Sequence, residues 1–107
     1  MYLDDHVAWL TKQHQQSPLT VFSKSYCPYS RRAKELLREQ HAKFDVYEVD
    51  LRADAEHLQM ALREISGHRT FPTIFLKDEL IGGSDSLQHL QDLGVLPGML
   101  AAAKALL

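Results

Sequence analysis

The amino-acid sequence predicts an α/β fold in which a four-stranded mixed sheet is flanked by helices. In the first half of the chain, residues 19–22 and 44–51 are rich in strand formers, and apolar residues at helical spacing lie between and after them. This strand–helix–strand order implies a right-handed crossover and a parallel pair of strands. In the second half, residues 73–76 and 80–81 flank a short polar turn, which predicts an antiparallel hairpin.

The spacing of apolar residues and the positions of helix-breaking residues predict the remaining elements of the first half. Helices are predicted over residues 4–15 and 28–41, where apolar residues recur on one face. Residues 44–51 carry apolar side chains on both faces, which is typical of a central strand. Asp54 is expected to cap the next helix, whose apolar stripe stops at Gly67.

The second half is expected to end in two helices. Gly82-Gly83 closes the hairpin, and Ser84 or Asp85 is expected to cap a short helix that stops at Gly94. A final helix is predicted over residues 96–106. The side chains expected to pack on the core from this end of the chain are Leu100, Ala103 and Leu107.

Length, composition and charge bound the classes of function. The chain has 107 residues, which predicts one domain over residues 1–107. A net charge of -2 gives no reason to expect nucleic-acid or membrane partners. The single cysteine allows no internal disulfide, so we expect a reducing, cytoplasmic location, or a secretory or organelle lumen if a targeting segment was removed. The six histidines show no zinc-ligand spacing, so no metal site is predicted.

Cys27 is the residue most indicative of chemistry. It follows the apolar strand 19–22 and precedes Pro28, which is favoured at the first position of a helix. Amides at a helix start, together with the positive charge of Lys24, favour a thiolate and lower a cysteine pKa from about 8.5 to roughly 3.5–7.5. A buried, inert cysteine is the alternative, but the junction of strand and helix favours a nucleophile.

Two further segments carry weaker signals. In Thr70-Phe71-Pro72-Thr73 a proline directly precedes a strand, where a cis bond would turn the chain sharply, although an ordinary strand-start proline is the more common explanation of this segment taken alone. In Gly82-Gly83-Ser84-Asp85 the glycines allow close approach of a ligand, and the helix start offers amides to an anion. Taken alone, the second segment is equally well explained as a hairpin end and a helix cap.

Together with Cys27, these segments resemble a class I glutaredoxin over residues 17–107, which implies a thioredoxin-like fold. Two departures stand out: Ser30 replaces the second cysteine of the usual Cys-Pro-Tyr-Cys, and Phe71 stands where valine is common. The Cys-Gly-Phe-Ser motif of glutaredoxins that handle iron–sulfur clusters is absent from the sequence. The motifs that carry the resemblance are Ser23-Lys24-Ser25-Tyr26-Cys27-Pro28-Tyr29, Gly67-His68-Arg69-Thr70-Phe71-Pro72 and Gly82-Gly83-Ser84-Asp85.

The resemblance implies that glutathione is the co-substrate. Cys27 would form a mixed disulfide with it, and the Phe71 backbone would pair with its cysteinyl part as an added strand does. Lys24 and Gln59 match positions that hold the glycine carboxylate, and Asp85 matches the position that takes the γ-glutamyl ammonium. The glutathione-binding residues implied in this way are Lys24, Tyr29, Gln59, Thr70, Phe71, Pro72, Gly83, Ser84 and Asp85, with Arg69 as a less specific candidate.

The expected function is that of a monothiol glutaredoxin. Through Cys27 it would reduce mixed disulfides between glutathione and proteins or small molecules, acting as a monomer. One alternative is a dimer in which two Cys27 thiolates and two glutathiones hold a [2Fe–2S] cluster. Another is that Ser30 is an introduced Cys→Ser change that traps the glutathione adduct of a dithiol enzyme.

Overall fold

The computed structural model describes residues 2–107 as five α-helices and one four-stranded sheet. A short 3-10 turn over Val49–Leu51 follows the second strand. The elements are α1 (Tyr2–Gln16), β1 (Thr20–Ser23), α2 (Pro28–Glu39), β2 (Asp45–Glu48), α3 (Ala55–Ser66), β3 (Thr73–Leu76), β4 (Glu79–Gly82), α4 (Ser84–Asp92) and α5 (Leu96–Ala102).

The sheet has the predicted mixed topology, with the strand order β2-β1-β3-β4. β1 pairs in parallel with β2, so that Ser23 lies opposite Glu48. β1 pairs antiparallel with β3, so that Phe22 lies opposite Thr73, and β3 continues into the β4 hairpin. The end of β1 therefore lies beside the start of β3, which brings the loop that carries Cys27 close to the segment that carries Pro72.

Helices cover both faces of the sheet and create two buried layers. Because side chains alternate across a strand, Val21 and Ile74 point into one layer while Phe22 and Phe75 point into the other. Helices α2, α4 and α5 close the first layer, and α1 and α3 close the second. Both central strands, β1 and β3, are thus buried on two sides.

The prediction of a central strand over residues 44–51 is wrong in two respects. The strand covers only Asp45–Glu48, and it lies at an edge of the sheet. Its apolar residues still face both layers, since Val46 packs on one core and Tyr47 on the other. Apolar residues on both faces indicate that helices cover the strand on both sides. In a three-layer fold this is true of an edge strand as well as of a central one.

The C-terminal helix is shorter than predicted. α5 ends at Ala102, and Lys104 adopts a left-handed conformation with φ of 59°. The chain then turns back, so that the Leu107 N–H donates to the carbonyl of His41 at 2.9 Å. As a result Leu107 is 88% exposed, and its predicted packing on the core is wrong, whereas Leu100 is buried as expected.

The boundaries of the other helices show smaller differences. α2 ends two residues before the predicted His41, which takes a left-handed φ of 57°. Gly67 ends α3 as predicted, with φ of 66°. Asp54 stands at the N-cap of α3 but makes no side-chain cap bond, because its carboxylate contacts His6 at 3.0 Å. Gly83 is the N-cap of α4, so the prediction that Ser84 or Asp85 caps it is wrong.

Within residues 2–107, no helix combines the length and the apolar character that a membrane span requires.

Candidate active site

Cys27 lies at the junction of strand and helix that the sequence predicts. It is the N-cap residue of α2, with extended backbone angles, and Pro28 takes the first helical position. Its carbonyl accepts the first bond of the helix from Arg31 N–H at 3.1 Å. This geometry turns the sulfur toward the amides at the helix start, and the thiol is partly exposed.

The surroundings of Cys27 favour its thiolate. Burial is the largest single influence on the pKa of the Cys27 thiol and raises it, whereas hydrogen bonds from Ser30 and Tyr29 lower it. The charge of Lys24 lowers the pKa further and is the smallest of these influences. The net result is a pKa below the ordinary value for cysteine, as the sequence predicts, with the helix start contributing more than the lysine.

Ser30 takes part in this stabilisation through its side chain. The residue is fully buried, and its Oγ accepts a hydrogen bond from the Lys24 N–H at 3.3 Å. The Ser30 hydroxyl in turn bonds to the Cys27 sulfur and lowers the pKa of the thiol. The serine therefore ties the loop before Cys27 to the sulfur, in addition to removing a second thiol from the motif.

A carboxylate that the sequence analysis missed anchors the same loop. Asp50 Oδ1 accepts from the Ser25 N–H at 2.8 Å, and Asp50 Oδ2 accepts from the Ser25 hydroxyl at 2.5 Å. The hydrogen bond from the Ser25 hydroxyl is the largest influence on the pKa of Asp50, which is lowered. The signal was present in the sequence: Asp50 follows β2, and carboxyl ends of parallel neighbours meet at one edge of a sheet.

The segment before β3 approaches Cys27 from the other side. The Phe71–Pro72 peptide is cis, and the Phe71 carbonyl oxygen lies 3.6 Å from Cys27 Sγ. The Lys24 ammonium lies 4.7 Å from the centre of the Phe71 ring, within the range of a cation–π interaction. The phenylalanine, which departs from the common valine, therefore holds a cation close to the nucleophile.

Two adjoining grooves surround these groups. One has a volume of about 440 Å³ and contains Cys27, and the other has a volume of about 420 Å³ and contains Asp85. Tyr29, Thr70 and Phe71 line both grooves, which makes them continuous. The first groove is lined by Lys24, Tyr26, Cys27, Pro28, Tyr29, Arg69, Thr70 and Phe71, and the second by Tyr29, His68, Thr70, Phe71, Gly83, Ser84, Asp85 and Ser86.

Most of the residues predicted for the site meet in these grooves, including Arg69. Pro72 lies behind them, where its carbonyl oxygen is 3.4 Å from the position that a Cβ on Gly83 would take. Gln59 is half-buried on α3 and is not among the residues that line either groove, so its role stays a prediction. His68 lines the second groove, although the sequence analysis assigned the histidines no role.

The charges along the grooves suit an elongated ligand with charged ends. Lys24 and Arg69 are cationic and line the groove that contains the thiol. At the other end, Asp85 is anionic and stands with Ser84 at the start of α4, whose amides are available to a carboxylate. Cys27 lies in the groove with the two cations, and the groove that contains Asp85 adjoins it, which suits a ligand with a reactive sulfur and two charged ends.

Residues 19–81 match the sequence profile of the glutaredoxin family. The chain belongs to the glutaredoxin family. It is 41% identical over 90 residues to the chloroplastic glutaredoxin-C4 of rice, Oryza sativa, covering 84% of this chain and 68% of that protein. It is 42% identical over 88 residues to glutaredoxin-C2 of Arabidopsis thaliana, covering 82% of this chain and 79% of that protein.

A solved structure agrees over almost the whole chain. The crystal structure of a complex of buckwheat glutaredoxin with glutathione superimposes with a TM-score of 0.95 at 33% identity. The superposition covers 99% of this chain and 96% of the buckwheat chain. The glutaredoxin family, the thioredoxin-like fold and the broad activity class of a thiol oxidoreductase are thereby confirmed.

The relative sizes of the influences on the pKa of Cys27 give a first prediction. Replacing Ser30 by alanine removes a hydrogen bond that lowers the pKa of Cys27, so the pH midpoint of thiolate formation should rise. Lys24→Gln should raise it less, since the lysine charge is the weaker influence. Thiolate absorbance and the rate of alkylation, followed against pH, measure both midpoints. An unchanged midpoint in Ser30→Ala, or a larger rise in Lys24→Gln, would contradict this account.

Proposed function

We propose that the protein is a monothiol glutaredoxin that reduces mixed disulfides between glutathione and proteins or small molecules. One observation carries the proposal: Cys27, the only cysteine of the sequence, lies in a groove with cationic groups beside it and an anionic group beyond. All the residues named belong to one chain, so a monomer is the proposed active unit.

The reaction needs one protein thiol and two glutathione molecules. The Cys27 thiolate attacks the glutathione sulfur of the mixed disulfide, the old S–S bond breaks, and the substrate leaves as a thiolate that takes up a proton. A second glutathione, as its thiolate, attacks the glutathione sulfur now bound to Cys27. Oxidised glutathione forms and the Cys27 thiolate is released. One glutathione comes from the mixed disulfide and the other is free, so the S–S bond passes to the glutathione pair and one free glutathione is consumed for each substrate thiol released.

A lowered pKa of Cys27 serves both steps. It raises the fraction of thiolate available for the first attack, and it makes Cys27 a better leaving group in the second. The hydrogen bonds from Ser30 and Tyr29 stabilise the same thiolate each time it forms.

The grooves suggest how glutathione is oriented. Ser84 and Asp85 would bind the γ-glutamyl end, with amides on its carboxylate and the Asp85 carboxylate on its ammonium. The Phe71 backbone would pair with the cysteinyl part, which places the sulfur next to Cys27. Lys24 and Arg69 would face the glycine carboxylate. The buckwheat relative, whose fold covers 99% of this chain, was solved as a complex with glutathione, which supports glutathione as the ligand of these grooves.

The test is a glutathione-coupled assay on a glutathionylated peptide, with Cys27→Ser as the comparison. We expect turnover by the parent protein and loss of it in Cys27→Ser, since a hydroxyl does not exchange with a disulfide. Intact mass should show one added glutathione on the parent after reaction with oxidised glutathione and none on the variant. Equal turnover by both proteins would overturn the proposal.

The same preparation tests the cluster-binding alternative. Within residues 2–107 no group of three or more histidine, cysteine or acidic side chains is placed to hold a metal ion. A [2Fe–2S] cluster would need thiolates from a second chain and from glutathione. Visible absorbance of a cluster in freshly purified protein, lost together with Cys27, would favour that function.

A further inference from the structure

His68 occupies a defined place in the groove that contains Asp85. The left-handed Gly67 ends α3 with φ of 66° and turns the chain, and the Ser66 hydroxyl then accepts from the His68 N–H at 3.0 Å. The same hydroxyl donates to the Leu62 carbonyl at 2.6 Å. The backbone of His68 is therefore fixed to the last turn of α3, and its half-buried ring lines the groove.

The ring contacts both walls of the groove. His68 Nε2 lies 3.2 Å from the Thr70 hydroxyl, which lines both grooves. On the other side, a Cβ at Gly83 would lie 3.2 Å from His68 Nε2 and 3.3 Å from Cε1. The φ of Gly83 is −104°, which any residue adopts, so it is the close approach of the His68 ring that leaves little room for a side chain at this position.

We propose that His68 is a positioning residue for the γ-glutamyl end of the substrate and a determinant of selectivity for it. The ring packs on Gly83 directly before Ser84 and Asp85, and it holds the Thr70 hydroxyl toward the groove they share. His68 and Thr70 thus form a polar wall beside the carboxylate and amides of α4. A ligand with an amino-acid group at this end gains contacts that a ligand without one lacks.

The inference rests on the proposed function and adds to it a residue outside the set implied by resemblance. A contact of His68 or Thr70 with the γ-glutamyl group is made equally in the bound substrate and in the transition state. Its loss therefore weakens binding and raises KM, while kcat stays nearly constant.

The test compares His68→Ala, His68→Gln and the parent on two forms of one peptide. One form carries glutathione as its mixed disulfide, and the other carries cysteinylglycine, which lacks the γ-glutamyl group. We expect His68→Ala to raise KM for the glutathione form by about three- to tenfold, the effect of one neutral hydrogen bond. KM for the cysteinylglycine form should stay within about twofold, and glutamine, which can still bond Thr70, should restore most of the loss.

Two controls separate positioning from general damage. His89→Ala removes an exposed histidine from α4 that lines neither groove, and it should leave both KM values unchanged. Gly83→Ala should raise KM in the parent because its methyl group meets the imidazole ring, and it should do so less in the His68→Ala background. Alkylation of Cys27 by a small uncharged reagent should proceed at the parent rate in both histidine variants.

The outcomes distinguish the two proposals. If the parent protein turns over the glutathione form and His68→Ala has the same KM for it, this inference alone is overturned. Equal rises of KM on both peptides, or no recovery with glutamine, would also overturn it. A parent protein without turnover on either peptide would overturn the proposed function, and this inference with it.

Discussion

Replacing Asp85 with alanine should raise KM for a glutathionylated peptide by about tenfold. The carboxylate is expected to accept a charge-assisted hydrogen bond from the γ-glutamyl ammonium, and such bonds contribute about 1.5–3 kcal/mol. Because Asp85 is exposed, water screens the pair, and we expect the lower end of that range, which corresponds to about tenfold. Steady-state kinetics on the peptide measure this change.

A matched variant separates the local contact from the loss of net charge. Asp78 is an exposed aspartate in the turn between β3 and β4, at the opposite end of β3 from Pro72. Asp78→Ala removes the same charge and should leave KM unchanged. The reactivity of Cys27 toward a small alkylating reagent should be the same in both variants. An equal loss on a mixed disulfide that lacks the γ-glutamyl group would contradict the role given to Asp85.

The position of Cys27 could be predicted from the sequence because its determinants are local. A buried strand, a cysteine and a proline that opens a helix follow one another within ten residues of sequence, 19–28. The amides that stabilise the thiolate belong to the same helix, two and three residues further on. No tertiary contact has to be known to place these groups.

Residues that reach the site across the fold were harder to predict. Asp50 anchors the loop through Ser25, which is 25 positions away in sequence, and the pairing depends on which strands are neighbours. His68 contacts Gly83 only because β3 and β4 bring the two segments together. The burial of Ser30 likewise depends on the packing of α2, so the sequence showed a missing thiol and not the bond to Lys24.

One error in the predicted fold came from a sequence pattern that has two structural explanations. Apolar residues on both faces of residues 44–51 are compatible with a central strand and with a covered edge strand, and only the strand order distinguishes the two.

His14 illustrates the opposite case, a polar residue in a buried position. It stacks on Phe75 at 4.1 Å between ring centres, and its Nδ1 bonds the Lys77 carbonyl at 2.7 Å. Periodicity alone does not predict such a satisfied core histidine.

Introducing a second thiol by Ser30→Cys should open a reaction that the parent protein is expected to perform poorly. The Ser30 hydroxyl already bonds to the Cys27 sulfur, so a thiol at this position would lie within reach of a disulfide with it. Reduction of a protein with an internal disulfide should rise on the order of tenfold or more, because an intramolecular thiol acts at a high effective concentration. The rates of both proteins on that substrate, with glutathione as reductant, measure the gain.

The chemistry of the new route explains why we expect the parent to lack it. Cys27 attacks the substrate disulfide and forms a mixed disulfide, which the thiol at position 30 attacks at the Cys27 sulfur, releasing the substrate as a dithiol. The internal disulfide then takes two electrons from two glutathiones. The same thiol can also attack the Cys27–glutathione intermediate, so turnover of glutathionylated peptide should slow in this variant. A serine hydroxyl makes neither attack.

Ser30→Ala is the control that separates the new thiol from the loss of the serine. Alanine also removes the hydrogen bonds to Cys27 and to the Lys24 N–H, but it adds no nucleophile. It should therefore lower reactivity at neutral pH without gaining activity on the internal disulfide. If the parent protein already reduces that disulfide as fast as Ser30→Cys does, one thiol suffices for both reactions and the monothiol mechanism is wrong. A gain confined to Ser30→Cys means that position 30 decides which disulfides this protein can reduce.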